Sequence, residues 1–203
     1  MVVMKSTKNY SYPQIIRAVK TVVKTANDAP SNKYGASVWR YHLEVVADYS
    51  FKLAKKLKAD KEIVELAAYL HDYAALLNPK NDKKHHILGA KEARKILLGL
   101  GYSKDKTEAV AQCILCHRGS VKMTRPTIEA KILASADAMS HFRYIPDMFY
   151  LTYNRHGFET DEGAVWLKGK LERSWAKIIP VGRKLIKKDK DLFFGILNQV
   201  LKK

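Results

Sequence analysis

Apolar residues recur along this chain at the three- and four-residue spacing of helices, and no stretch alternates as a strand would. The third apolar stretch is the clearest, with one face formed by Ile63, Leu66, Ala67, Leu70 and Ala74. Turns rich in Gly, Pro, Asn and Asp separate the stretches. The pattern predicts helices over residues 13–26, 37–57, 61–77, 85 or 86 to 98, 104–118 and 127–142, a long helix over 166–178 and a short one over 191–201.

These helices predict an all-α protein with a single domain, since 203 residues are enough to bury one core. Residues 1–36 are expected to form an N-terminal helix and loop, and residues 37–143 a helical bundle that binds metal. Residues 144–203 are expected to be a C-terminal helical extension packed on that bundle. No run of about 18 apolar residues occurs, so no membrane span is predicted.

Polar side chains interrupt the apolar faces of successive helices. A single histidine at such a position is more often a hydrogen-bonded core residue than a ligand. Polar residues on the apolar faces of five helices are hard to explain by packing, because buried polar groups are costly without partners. The set consists of His42, His71, Asp72, His86, His117 and Asp137. Imidazoles and carboxylates suit Mn, Fe, Co, Ni or Zn, and helical bundles bind such ions between facing helices.

The order of these residues resembles the HD-domain metal-dependent phosphohydrolase family over about residues 38–142. The matching segments are Arg40–His42, Ala67–Asp72, His86–Ala90 with Ala93, Ile114–His117, and Glu129–Leu133 with Ala136–Asp137. The resemblance implies a helical bundle of the HD-domain type. It also implies that a divalent transition metal is bound by His42, His71, Asp72 and Asp137.

The resemblance also bears on a second metal ion. His86 and His117 match positions that hold a second ion in some family members, with the equivalent of Asp72 bridging the two ions. Either histidine could instead contact substrate phosphate, and His85 competes with His86 for its role. One or two ions are therefore expected.

The activity that the resemblance implies is hydrolysis of a nucleotide or another phosphate ester by a metal-activated water. Asp72 is the candidate catalytic residue that orients this water, although a histidine near the metal could do so. Many family members carry a lysine shortly after the His-Asp pair, whereas this chain continues with residues 73–76, Tyr-Ala-Ala-Leu. The candidates for the missing phosphate contact are Arg40, Lys83, Arg118 and Lys122, each of which could equally be a solvated surface charge.

The formal net charge of +17 favours anionic partners, above all a small phosphorylated substrate such as a nucleotide. Lysines are spread along the whole chain, so a nucleic-acid groove is possible but not favoured. The alternative functions are a nucleotide-sensing module and a nucleic-acid-binding helical protein, both without catalysis. The oligomeric state is left open.

Residues 113–117, Cys-Ile-Leu-Cys-His, match the attachment signature of c-type haem. Covalent haem attachment normally requires export, and the N-terminus lacks a secretory pattern. We therefore expect no haem, a cytoplasmic location and reduced core cysteines. A structural zinc site is disfavoured because no second cysteine pair exists. His141 could support the metal ligands, but we interpret His141 and His156 as non-functional.

Overall fold

The computed structural model describes residues 10–119 and 123–201, and within these ranges every regular element is a helix and none is a strand. The all-α class predicted from the apolar spacing is therefore confirmed. The α-helices are α1 (Tyr12–Asp28), α2 (Glu44–Leu57), α3 (Lys61–Leu70), α4 (Tyr73–Leu77), α5 (His85–Gly99), α6 (Lys104–Cys116), α7 (Ile128–Ser140), α8 (Ile145–Phe149), α9 (Thr160–Lys177), α10 (Pro180–Leu185) and α11 (Lys187–Leu201). Two π-helical segments, Trp39–Leu43 and Tyr150–Arg155, and a 3₁₀ helix, Pro79–Lys84, complete the described chain.

No helix in the described ranges combines the length and the apolar character needed to cross a lipid bilayer.

Helices α2, α3, α6 and α7 pack around a common core, and α5 pairs with α6 on its outside. The apolar face predicted for residues 61–77 lies inside this core: Leu66, Ala67 and Leu70 are fully buried. Burial of each large aliphatic side chain contributes about 1.5–3 kcal/mol to the free energy of unfolding. Because α2, α6 and α7 pack around α3, a polar group at the C-terminal end of α3 lies in the centre of the protein.

Polar caps fix where the central helices begin. The Asp60 carboxylate accepts hydrogen bonds from the backbone N–H groups of Glu62 and Ile63, at 2.9 and 3.2 Å. The Thr127 hydroxyl accepts one from the backbone N–H of Ala130 at 3.1 Å. Each cap satisfies N–H groups that have no partner within the helix.

Two of the predicted helices are interrupted at residues of the predicted metal site. The helix expected over residues 37–57 begins as the π-helical segment, which contains His42. The helix expected over 61–77 stops at Leu70, and Asp72 has φ −103° and ψ 3° before α4 begins. π-helical turns and this backbone region are both frequent at functional sites. Apolar periodicity continues across both interruptions, which is why it could not predict them.

The C-terminal residues join the bundle through α9, which packs against α7 and α11. Gly163 allows α9 to approach the preceding π-helical segment, since a Cβ there would lie 2.3 Å from the Tyr153 ring. This packing brings α9 beside the C-terminal half of α7. The division of the chain at residues 36 and 143 stays a prediction.

The contact between α5 and the end of α3 provides a test of this packing. A Cβ on Gly89 would lie 3.2 Å from the His71 carbonyl oxygen and 3.3 Å from Ile114 Cγ2. We expect Gly89→Val to lower the free energy of unfolding by about 1–3 kcal/mol through overpacking, measured by urea denaturation. Gly99→Val is the matched control on the same helix, because a Cβ there meets nothing within 4 Å. Equal stability of the two variants would contradict the close α3–α5 contact.

Candidate metal centre

Five helical elements bring four histidines and two aspartates together at the centre of the bundle. The residues are His42 in the first π-helical segment, His71 and Asp72 at the α3–α4 break, His85 at the start of α5, His117 directly after α6, and Asp137 in α7. All of them except the fully buried His71 line a cavity of about 430 Å³. Residues separated by up to 95 positions in the sequence thus share one polar cluster in an otherwise apolar core.

The Asp72 carboxylate lies between two pairs of histidines. Its Oδ2 is 3.1 Å from His71 Nε2 and 3.2 Å from His42 Nε2. Its Oδ1 is 3.4 Å from His85 Nε2 and 3.8 Å from His117 Nε2. Each carboxylate oxygen therefore faces its own pair of imidazole nitrogens, an arrangement in which one carboxylate can bridge two cations.

Asp137 joins the first of these pairs. Its Oδ1 lies 3.8 Å from His42 Nε2, and the ligand atoms of His42, His71 and Asp137 are all within 4.8 Å of one another. Ligand atoms of His71, Asp72 and His117 form a second group of the same size. The two groups share His71, so the candidate metal-ligand atoms form one continuous polar region.

Backbone carbonyl groups fix the orientation of three of the histidines. In each case the ring Nδ1 hydrogen-bonds to the carbonyl oxygen three residues earlier: His71 to Ala68 at 2.8 Å, His85 to Asp82 at 2.6 Å and His117 to Ile114 at 2.6 Å. A carbonyl oxygen can only accept, so Nδ1 carries the proton and donates. The Nε2 atom of each ring is left facing Asp72.

His42 is oriented by a side chain instead. The Ser140 hydroxyl donates to the Asp137 carbonyl oxygen at 2.7 Å, so its oxygen accepts from His42 Nδ1 at 2.9 Å. His42 Nε2 then faces His71 Nε2 at 3.1 Å, and His85 Nε2 faces His117 Nε2 at the same distance. Two lone pairs this close repel unless a cation or a proton lies between them. Histidines held by Nδ1 hydrogen bonds are typical metal ligands, so the donor set fits a divalent ion.

The pKa values of these groups reflect burial and mutual charge. Burial lowers the pKa of His117 to about 3. Burial would also lower the pKa of His71, but the Asp72 and Asp137 carboxylates raise it to about 9. Burial alone would raise the pKa of Asp137, yet the ammonium of Lys177 holds it well below its usual range. Both carboxylates therefore stay anionic in the protein interior, which favours a bound cation.

The structure contradicts the choice of His86 as a ligand and brings His85 into the cluster in its place. His86 is buried, but its Nδ1 has no hydrogen-bond partner among the described residues, and it is not among those that line the cavity. Adjacent residues on a helix point about 100° apart, so only one of the two can face Asp72. The spacing of apolar residues favoured His86 because its side chain does lie on the buried face of α5.

The predicted phosphate contacts are mostly elsewhere. Arg118 lines the cavity, and its guanidinium donates to the backbone carbonyl of Lys83. Lys83 and Arg40 are exposed and are not among the described residues that line the cavity. Lys122 lies outside the described residues.

Helix α9 supplies the cations that sequence reasoning missed. Lys170, Arg173 and Lys177 line the cavity, and Lys177 Nζ is 2.6 Å from Asp137 Oδ2 and 3.2 Å from the His117 carbonyl oxygen. Their spacing of three and four residues places them on one helical face, which was the available signal. His141 and His156, interpreted from sequence as non-functional, also line the cavity.

The family model of the HD domain matches residues 39–141, just over half of the chain and the stretch that contains all six clustered residues. The chain belongs to the HD domain family. Ribonuclease Y of Rubrobacter xylanophilus is 30% identical to this HD-family chain over 112 residues, which are 55% of the chain and 20% of ribonuclease Y. The chain thus spans about a fifth of the length of that relative.

Solved structures resemble the HD-family chain over most of its length. Bacillus subtilis YpgQ has a TM-score of 0.72 at 20% identity, covering 95% of this chain and 97% of YpgQ. The complex of YpgQ with ADP has a TM-score of 0.67 at 22% identity with the same coverage of both chains. A predicted HD superfamily hydrolase from an uncultured Thermotogales bacterium has a TM-score of 0.51 at 19% identity, covering 87% of this chain and 91% of that protein. The HD fold supports a metal-dependent hydrolase in general.

The two neighbouring histidines of α5 offer a matched test of the cluster. We expect His85→Ala to lower the amount of metal bound per protein, because it removes the Nε2 that faces Asp72 and His117. His86→Ala should leave the metal content at the wild-type value, since its ring is not part of the cluster. Elemental analysis after reconstitution with Mn²⁺ measures both. Loss of metal in the His86 variant alone would reverse the assignment.

Proposed function

We propose that this protein is a metal-dependent phosphohydrolase that acts on a nucleotide or another phosphate ester. The observation that carries the proposal is the position of Asp72 between two histidine pairs, at the inner end of a cavity lined with lysine and arginine. His42, His71, Asp72 and Asp137 are the proposed ligands of one divalent ion, which is Mn, Fe, Co, Ni or Zn. Asp72, His85 and His117 are the proposed ligands of a second.

The bound metal supplies Lewis-acid activation of water and stabilisation of negative charge on phosphoryl oxygens. The Asp72 carboxylate orients the water toward phosphorus. The Lys177 ammonium lies beside Asp137, at the edge of the metal cluster. From there it stabilises the negative charge that develops on the phosphate. It thereby provides, from α9, the cation that many family members carry shortly after the His-Asp pair.

Nucleotides are the favoured substrates among phosphate esters. YpgQ, which shares this fold over most of its length, has been solved in complex with ADP. The cavity of about 430 Å³ is within the range of small-molecule sites. Arg155, Lys170, Arg173 and Lys177 line it and favour an anionic ligand.

RNA is the second candidate substrate, because ribonuclease Y is among the relatives and the net charge is +17. Binding to RNA would weaken steeply with salt concentration, and the protein would cleave internal phosphodiester bonds. A nucleotide-sensing module would instead bind its ligand and leave it intact with every metal tried. A hydrolysis screen over mononucleotides, nucleoside polyphosphates and RNA, with each metal, separates the three.

Replacement of the shared carboxylate tests the proposal directly. We expect Asp72→Ala to abolish both metal binding and phosphate ester hydrolysis, because it removes both oxygens at the centre of the cluster. Elemental analysis and a p-nitrophenyl phosphate assay measure the two effects. Asp48→Ala is the control, since Asp48 is an exposed carboxylate paired with Lys52 at 2.6 Å. Full activity of the Asp72 variant without bound metal would refute the proposal.

Lys177 tests the role of α9 in the reaction. We expect Lys177→Met to lower kcat by about 100-fold, the usual effect of removing one group that stabilises transition-state charge. Metal content should persist, because the histidines and Asp72 are retained. The exposed Lys184 provides the control variant Lys184→Met. A rise in KM with unchanged kcat would show that Lys177 only binds substrate.

A further inference from the structure

The cavity-lining residues of α9 form one stripe along the helix. Trp166, Lys170, Arg173 and Lys177 follow one another at intervals of four, three and four residues. At a rise of about 1.5 Å per residue, the stripe is about 16 Å long. One end, at Lys177, touches Asp137 of the metal cluster, and the other end, at Trp166, lies in the outer part of the cavity.

The middle of the stripe carries positive charge without a carboxylate partner. Lys170 is half-buried, and in the described part of the chain no carboxylate lies within salt-bridge distance of its ammonium. Its nearest polar contact is His141 Nε2 at 3.4 Å, and His141 Nδ1 hydrogen-bonds to the Ser174 hydroxyl at 2.9 Å. An imidazole that accepts from Lys170 holds the lysine in place but does not pair its charge with a carboxylate. A desolvated cation of this kind favours an anionic ligand.

The outer end of the stripe is aromatic. The Trp166 ring lies 4.7 Å from the His156 ring and 5.6 Å from the Phe158 ring, centroid to centroid. Trp166 and His156 both line the cavity, as does the apolar side chain of Leu151. A flat aromatic surface beside apolar side chains suits a nucleobase, because every base can stack on an indole ring.

The spacing along the stripe selects among phosphate compounds. Lys177 and Lys170 are seven residues apart, about 10 Å along the helix. A single phosphate group cannot contact both, whereas a chain of two or more phosphates can. Trp166 lies one further turn beyond Lys170, on the side away from the metal cluster.

We propose that this face of α9 binds a nucleoside di- or triphosphate, with the base on Trp166, one phosphate at Lys170 and Arg173, and the reacting phosphate at Lys177. The proposal rests on the proposed hydrolase function and narrows its substrate to nucleoside polyphosphates. Mononucleotides and simple esters would leave part of the stripe unused.

Binding of a non-hydrolysable analogue tests the stripe separately from catalysis. The probes are adenosine 5′-(α,β-methylene)diphosphate, AMP and a short RNA, each titrated against the Mn²⁺-loaded protein by calorimetry. We expect the diphosphate analogue to bind at least about tenfold more tightly than AMP and to quench tryptophan fluorescence. Trp166→Leu and Lys170→Met should each weaken binding of the analogue about tenfold, in line with the energy of one stacked base or one charged contact. Trp166→Phe, which retains a stacking ring, should bind with little loss of affinity but no longer be quenched.

Lys168→Met is the matched control, because Lys168 lies on α9 but is not among the described residues that line the cavity. Equal affinity for the analogue and AMP, tighter binding of RNA, or unchanged affinity in both the Trp166→Leu and Lys170→Met variants would overturn the assignment. Hydrolysis of ADP, ATP and p-nitrophenyl phosphate, assayed in parallel with each metal, separates the two proposals. An inactive protein with the expected binding pattern refutes the hydrolase and supports the stripe, and an active protein without that pattern refutes the stripe alone.

Discussion

The facing imidazoles around Asp72 are the constraint on which the rest of the structure depends. The four rings form two pairs, His42 with His71 and His85 with His117, and within each pair the two Nε2 atoms lie 3.1 Å apart. The Nδ1 atom of each of the four rings already has a hydrogen-bond partner. Such a cluster is costly in an apolar core unless a proton or a cation is shared between the facing nitrogens. A cation between the nitrogens turns this repulsion into attraction. The fold therefore makes sense as a scaffold that holds donors in place for a metal.

The irregular helices follow from the same constraint. On a continuous α-helix His71 and Asp72 would point about 100° apart, and only one could face the cluster. The break after Leu70 ends α3 at this point and lets both side chains face the same region. The π-helical turn contains His42 and the α6 terminus is followed directly by His117. Regular hydrogen bonding is interrupted at or next to most of the proposed ligands.

The sequence predicts those site residues that lie on the apolar faces of helices. His42, His71, His117 and Asp137 interrupt buried faces, so periodicity alone identified them. The choice between His85 and His86 depends on the 3₁₀ helix before α5, whose position no residue pattern specifies. The cations of α9 were not found because their role depends on packing against α7, across more than thirty residues of chain. Their spacing is also common on ordinary amphipathic helices, so by itself it could not distinguish them from other surface cations.

The metal ligands and much of the cavity wall come from different parts of the chain. All the proposed metal ligands lie within residues 39–141, the range of the HD domain model. Beyond the cluster, six wall residues belong to the same range: Ala75, Leu76, Asp82, Arg118, Gly119 and His141. The rest of the wall is formed by residues after 146 and by Tyr34 and Val38. A metal centre alone activates water for many phosphate compounds, so discrimination must come from what surrounds it. Changes in α9 can therefore alter the substrate while the metal centre stays the same, and shared HD residues do not by themselves imply a shared substrate.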